Sequence, residues 1–178
     1  MLRLAEPSDA PAIARVHVES WRTTYQGLLP AAYLEAMDVH HYAGRWHRTL
    51  LDRFGQAIVL VAEEEGAVVG FASGGPERDG DHRYKGELYA IYLLREFQGR
   101  GLGRALTEST ASALADRDVT SMAVWVLRDN AGARGFYERL GGVYLRERQL
   151  ELGMEGGLDV LEVAYLWPDT RATLLRAR

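Results

Sequence analysis

Gln98-Gly99-Arg100-Gly101-Leu102-Gly103 is the run whose residue types and spacing most directly dictate chemistry. It lies between a β-branched and aromatic stretch, Glu87 to Leu94, and a segment in which Leu102, Leu106, Ser109 and Ala113 recur at helical spacing. The first N–H groups of a helix have no intrahelical partner, and glycine lets an anion approach the backbone with no Cβ in the way. The helix dipole adds about 0.3–1 kcal/mol per nearby negative charge, so a pyrophosphate is the natural guest. Two phosphate motifs fail by count. Starting G-x-G-x-x-G at Gly99 puts Arg104 at the last position, and starting at Gly101 puts Leu106 there. A P-loop needs Gly-Lys-Ser/Thr, which the chain lacks.

The remaining pattern, Gln98-x-x-Gly101-x-Gly103, resembles the phosphate loop of the GNAT superfamily of acyl-CoA-dependent N-acetyltransferases. That loop has Gln or Arg, two residues, Gly, one residue, then Gly or Ala. Two further segments are similar to family signatures: Tyr89 to Phe97 to the fourth strand, and Asn130 to Gly141, with Tyr137 seven positions after Asn130, to the helix near the acyl end. The resemblance implies acetyl-CoA as co-substrate. Backbone amides across Gln98, Gly99, Arg100, Gly101, Leu102, Gly103, Arg104 and Ala105 would hold the pyrophosphate, with Arg100 and Arg104 adding charge at the rim. Strands 4 and 5 would splay, and backbone groups of Ile91 and Leu93 would pair with the pantetheine arm. Asn130 would hydrogen-bond that arm or cap its own helix.

Direct transfer to an amine requires a neutral nitrogen, a stabilised oxyanion and a proton for the leaving thiolate. The chain has no cysteine, which removes a covalent cysteine intermediate, disulfides and thiolate metal sites. Glu87, eleven residues before Gln98, resembles the catalytic Glu of the histone-acetylating branch, and a solvated strand-end carboxylate is the competing reading. Glu19, His17 and His82 are alternative bases. The N–H near Leu93 is the oxyanion donor that the resemblance implies, and Tyr137 the general acid. The acceptor side draws on Trp21, Tyr25 and His82, with Trp21 also fitting a core stripe. His40, His41 and His47 lack the spacing of a metal site, and no metal is expected. Gly142 stands where the family commonly has an aromatic residue, which puts the packing near the acyl end in question.

These residues need a scaffold that aims a strand at the loop. Leu2 to Leu4 reads as a strand, and Ala14, Val18, Trp21 and Tyr25 as one helical stripe capped by Ser8 or Asp9. Residues 31–54 read as helix in two pieces. Ala57 to Ala62 and Ala67 to Ala72 read as an antiparallel hairpin, with a polar loop from Gly74 to Gly86. Thr120 to Leu127, Val143 to Leu152 and Leu158 to Trp167 complete the strands, and Asn130 to Leu140 is the last helix. The expected class is α/β (α+β), a mixed, mostly antiparallel sheet of about seven strands with helices on both faces, in one domain over residues 1–178.

Composition agrees with a globular chain: 47% hydrophobic, 26% charged and a net charge of −4, with no basic surplus to attract nucleic acid. No apolar run approaches the roughly 20 residues of a membrane span, and no signal pattern opens the chain, so a cytoplasmic protein is expected. The function implied is acetyl transfer to a primary amine, on a small molecule first. A protein or peptide N-terminus and a non-catalytic acyl-CoA sensor are the alternatives. Leu158 to Trp167 alternates enough apolar residues to permit a homodimer.

Overall fold

The computed structural model describes residues 1–52, 55–152 and 158–175. Seven strands form one sheet: β1 Leu2–Leu4, β2 Ile58–Glu64, β3 Ala67–Pro76, β4 Gly86–Leu93, β5 Met122–Leu127, β6 Val143–Leu152 and β7 Leu158–Trp167. Their order is β1-β2-β3-β4-β5-β7-β6, and every neighbouring pair is antiparallel except β4 with β5. The expected sheet is present. The hairpin between β2 and β3 turns on Glu65 and Gly66, both at positive φ (50° and 79°), the pair of conformations a tight turn between twisted strands demands.

Both faces of the sheet are covered, which is why β2 reads as a continuous apolar run. Its alternate residues serve different layers. Ile58, Leu60 and Ala62 pack with Leu106 and Leu114 of α4 (Leu102–Ala115), while Val59 and Val61 pack with Ile13 and Val16 of α1 (Ala10–Thr24). Helices α2 (Ala31–Ala36) and α3 (Val39–Leu51) lie on the α1 side, and α5 (Ala131–Arg139) follows β5. A short α6, Thr170–Thr173, is an element that sequence periodicity does not signal.

The start of α1 differs from expectation. A 3-10 turn, Pro7–Asp9, precedes it, and the Asp9 side chain turns back to accept from the Glu6 N–H (2.8 Å) and pair with Arg3 (2.7 Å). It forms no side-chain cap on α1. β3 also runs four residues past Ala72, so the polar loop shortens to residues 77–85.

At Gly142 the space is filled from elsewhere. A Cβ there would lie 3.1 Å from the Trp167 indole, whose Nε1–H donates to the Leu140 carbonyl (2.9 Å). Trp167 packs where a side chain at Gly142 would stand.

Candidate active site

β4 and β5 pair only over Gly86–Leu88 and Met122–Val124, after which the two strands separate. A bulge decides what faces the resulting gap. Ser73 pairs with Ala90 but Gly74 with Leu88, so Tyr89 is an extra residue in β4. Before the bulge, Gly86 N–H donates towards β5, to the Ser121 carbonyl (2.9 Å). After it, Leu94 N–H donates towards β3, to the Val69 carbonyl (2.9 Å). Peptide groups alternate sides along a strand, so without the bulge these two even-numbered residues would face the same neighbour. The extra residue switches the alternation and turns the peptide groups of Ile91 and Leu93 to the gap. The Leu93 carbonyl is held there by Ser20 Oγ (3.1 Å) and Gln98 Nε2 (3.0 Å), each donating to it.

The gap opens onto the first turn of α4. Gly99 and Gly101 have φ of 74° and 84°, in the left-handed region, and this backbone brings the chain from β4 into the helix. No side chain caps α4, so its first N–H groups are presented outward. The Ala105 N–H is different: it donates to the Gly101 carbonyl (3.0 Å) and is already committed to the helix. Gly103 serves close packing, since a Cβ there would meet the Phe136 ring of α5 at 3.3 Å.

A cavity of 840 Å³ joins this turn to the far side of the sheet. Its α5 wall carries Asn130, Phe136 and Tyr137. Asn130 caps α5, its Oδ1 accepting from Ala133 N–H (3.1 Å). Tyr137 is 5% exposed, and burial, with the Tyr92 phenol nearby, pushes its own phenol pKa up. It stays protonated at neutral pH.

The opposite end of the cavity is polar and aromatic. Glu87, 2% exposed, is gripped by Arg78 through Nη2–Oε1 (2.5 Å) and Nε–Oε2 (3.4 Å), and that guanidinium stacks 4.0 Å over the Tyr89 ring. Glu162 of β7 reaches the same end. Its Oε2 accepts from Arg148 Nε (3.1 Å), and Arg148 lies 3.8 Å over the Trp125 ring. Arg148 also pairs with Asp79, and Arg146 with Asp81 (3.1 Å), so β6 ties the 77–85 segment across this end. Burial raises the Glu162 pKa; Arg148 opposes this, while Glu87 and Asp79 reinforce it. Trp21 and Tyr25, 4.8 Å apart and edge-to-face, close the α1 side, and burial lifts the Tyr25 phenol to about 12.

The model of the acetyltransferase (GNAT) family matches residues 16–142 of this chain. The chain belongs to the GNAT acetyltransferase family. It is similar to an uncharacterized N-acetyltransferase, YuaI, of Bacillus subtilis (strain 168), with 40% identity over 172 residues, 96% of this chain and 94% of that protein. A mycothiol acetyltransferase of Corynebacterium kroppenstedtii is 33% identical over 162 residues, covering 76% of this chain and 44% of that protein. The fold matches that of the PaiA N-acetyltransferase of Thermoplasma acidophilum, solved in complex with coenzyme A, at a TM-score of 0.70 and 19% identity, covering 91% of this chain and 96% of that one.

Within the GNAT fold, Gln98, Gly99, Gly101, Gly103, Arg104, Ile91, Leu93, Glu87, Asn130, Tyr137, Trp21 and Tyr25 all line the one cavity. Arg100 does not; it is exposed, its guanidinium 5.1 Å over the Phe97 ring. Leu102 packs against the core beneath the loop. His82 is exposed on the 77–85 segment, outside the cavity lining, and His40, His41 and His47 are exposed on α3. His17 is enclosed by rings and accepts from Trp46 Nε1–H (3.2 Å) at Nδ1, away from the cavity. Glu162, Arg148 and Trp125 are among the cavity residues that sequence reasoning missed. Their signal is cross-strand: Arg148 stands opposite Glu162, and Glu162 opposite Leu127, which only the strand pairing reveals.

Proposed function

We propose that this GNAT acetyltransferase uses acetyl-CoA as donor and a primary amine of a small molecule as acceptor, by direct attack with both bound in the cavity. The observation that carries this reading is the bulge at Tyr89, which turns the peptide groups of Ile91 and Leu93 into a gap continuous with the uncapped start of α4. That surface fits coenzyme A: N–H groups of the Gly99 to Arg104 turn, with the Arg104 charge, suit a pyrophosphate, and β4 edge groups suit the amides of a pantetheine arm. Acetyl-CoA supplies the activated acyl group. The Leu93 N–H stands where an oxyanion donor is useful, and such a donor in a dry site is worth about 3–4 kcal/mol. The Tyr137 hydroxyl, kept protonated by burial, serves as acid for the leaving sulfur, and the acceptor-end carboxylates Glu87 and Glu162 serve the amine.

A small acceptor is favoured by the 77–85 segment, which the Arg146 and Arg148 ion pairs hold across the far end of the cavity. Relatives named mycothiol acetyltransferases point the same way. The test is thiol release from acetyl-CoA with spermidine, glucosamine, tryptamine and a series of peptides, run with wild type and Tyr137→Phe. The expected result is turnover with at least one small amine, lowered about 10²-fold by Tyr137→Phe with acetyl-CoA affinity retained. Turnover only with peptides overturns the small-molecule acceptor, and an unchanged rate in Tyr137→Phe removes Tyr137 as the acid.

A further inference from the structure

Two carboxylates reach the acceptor end, and their surroundings differ. Both oxygens of Glu87 are held by one guanidinium, Arg78, in a fork that leaves neither oxygen free of a partner. Glu162 is held by one oxygen only. Its Oε2 accepts from Arg148 Nε, and among the described residues nothing donates to Oε1. Its side chain is 13% exposed, on a strand whose position 162 stands opposite Leu127 of the cavity wall. Arg148 divides its charge, pairing with Asp79 as well as Glu162 and lying flat on Trp125. A half-buried carboxylate with one free oxygen at a cavity wall and a shared counter-charge is suited to accepting a proton.

We propose that Glu162 is the base that takes the proton from the acceptor ammonium, while Glu87 and Arg78 form a fixed pair that positions the same acceptor. This rests on the amine acetylation proposed above. The nitrogen loses two protons. The first passes from the ammonium to Glu162 Oε1 and on to solvent, freeing the lone pair. That lone pair forms the C–N bond at the thioester carbonyl carbon, and the C–S bond breaks with its electron pair going to sulfur. Tyr137 protonates the sulfur and is itself restored by the second nitrogen proton.

Charged or titratable groups that face Glu162 are Arg148 from β6, Asp79 from the 77–85 segment, Glu87 and Tyr92 from β4, and Tyr25 after α1. Burial, Glu87 and Asp79 favour the protonated acid; Arg148 favours the carboxylate. A base must be ionised to act, so the rate should fall on acidification at a higher pH than an ordinary carboxylate would give. Replacing Asp79 removes one repelling charge and leaves Arg148 to Glu162 alone, so the fall should move to lower pH.

The experiment measures kcat/KM against pH with acetyl-CoA and the best amine of the panel above, for wild type, Glu162→Gln, Glu87→Gln and Asp79→Asn. Acetyl-CoA affinity and thermal midpoint are measured alongside. Expected are a loss of about 10²-fold or more and no acid limb in Glu162→Gln, with acetyl-CoA affinity retained. Glu87→Gln should keep an acid limb, and in Asp79→Asn that limb should move to lower pH. If Glu162→Gln keeps both rate and limb while Glu87→Gln loses them, the assignment is overturned and Glu87 is the base. An acid limb unmoved by Asp79→Asn also counts against Glu162. Failure of wild type to bind or turn over acetyl-CoA is a separate outcome, which overturns the functional reading itself.

Discussion

His17 packs among five rings, those of Trp21, Tyr42, Trp46, Phe71 and Tyr92, with centroids 4.5–6.0 Å away. Its Nδ1 accepts from Trp46, which requires a neutral ring, and burial, helped by Arg45, lowers its pKa to about 4 from 6.5. The folded state therefore binds its proton later on acidification than the unfolded chain does. The contribution of neutral His17 is present above pH about 6.5 and is lost as pH falls towards about 4, by about 3 kcal/mol in all. Denaturant midpoints measured from pH 7 to 4.5 should fall more steeply in wild type than in His17→Phe. Parallel slopes would contradict the buried neutral imidazole. In the sequence, His17 reads as an alternative base or a surface side chain, because Trp46 and Tyr92 reach it only once α3 and β4 have docked on α1. Glu162 is hidden for the same reason: its neighbours Arg148 and Leu127 come from two other strands. Tyr137 was legible because its seven-residue offset from Asn130 lies within one helix and its cap.

At the scale of elements, the turn from β4 into α4 is written in local backbone demands, and glycine spacing shows them directly. Gly101 has φ of 84° with no atom within 4 Å of a would-be Cβ, so its constraint is conformational. Gly103 is not at positive φ; its constraint is the Phe136 ring at 3.3 Å, a side chain that can yield. Gly101→Ala should therefore cost about 1–2 kcal/mol of stability, seen as a lowered thermal midpoint, and Gly103→Ala distinctly less. Equal costs would contradict the left-handed turn. The bulge at Tyr89 carries no such signature. Nothing in Glu87-Leu-Tyr-Ala-Ile-Tyr says that one residue is extra, since the insertion is defined only against β3. Sequence reading located the strand and the family resemblance named Ile91 and Leu93; the pairing supplies the reason their peptide groups face the gap.

At the scale of the molecule, alternation and turn residues make the strands and the β2–β3 hairpin legible, but not the order β1-β2-β3-β4-β5-β7-β6, which rests on pairing between distant segments. The separation of β4 and β5 is not legible in local pattern, because their pairing stops after three residues while β7 continues along the full length of β5. That separation joins the uncapped start of α4 to the end of the cavity that carries Glu87 and Glu162, and the proposed function stands or falls on binding of acetyl-CoA across it. Calorimetric titration of wild type with acetyl-CoA, paired with thermal unfolding, tests it most directly. Saturable one-to-one binding is expected, with a midpoint that rises with ligand concentration; at 100 times Kd the ligand adds about 2.7 kcal/mol. Absence of both heat and stabilisation at millimolar acetyl-CoA would contradict it.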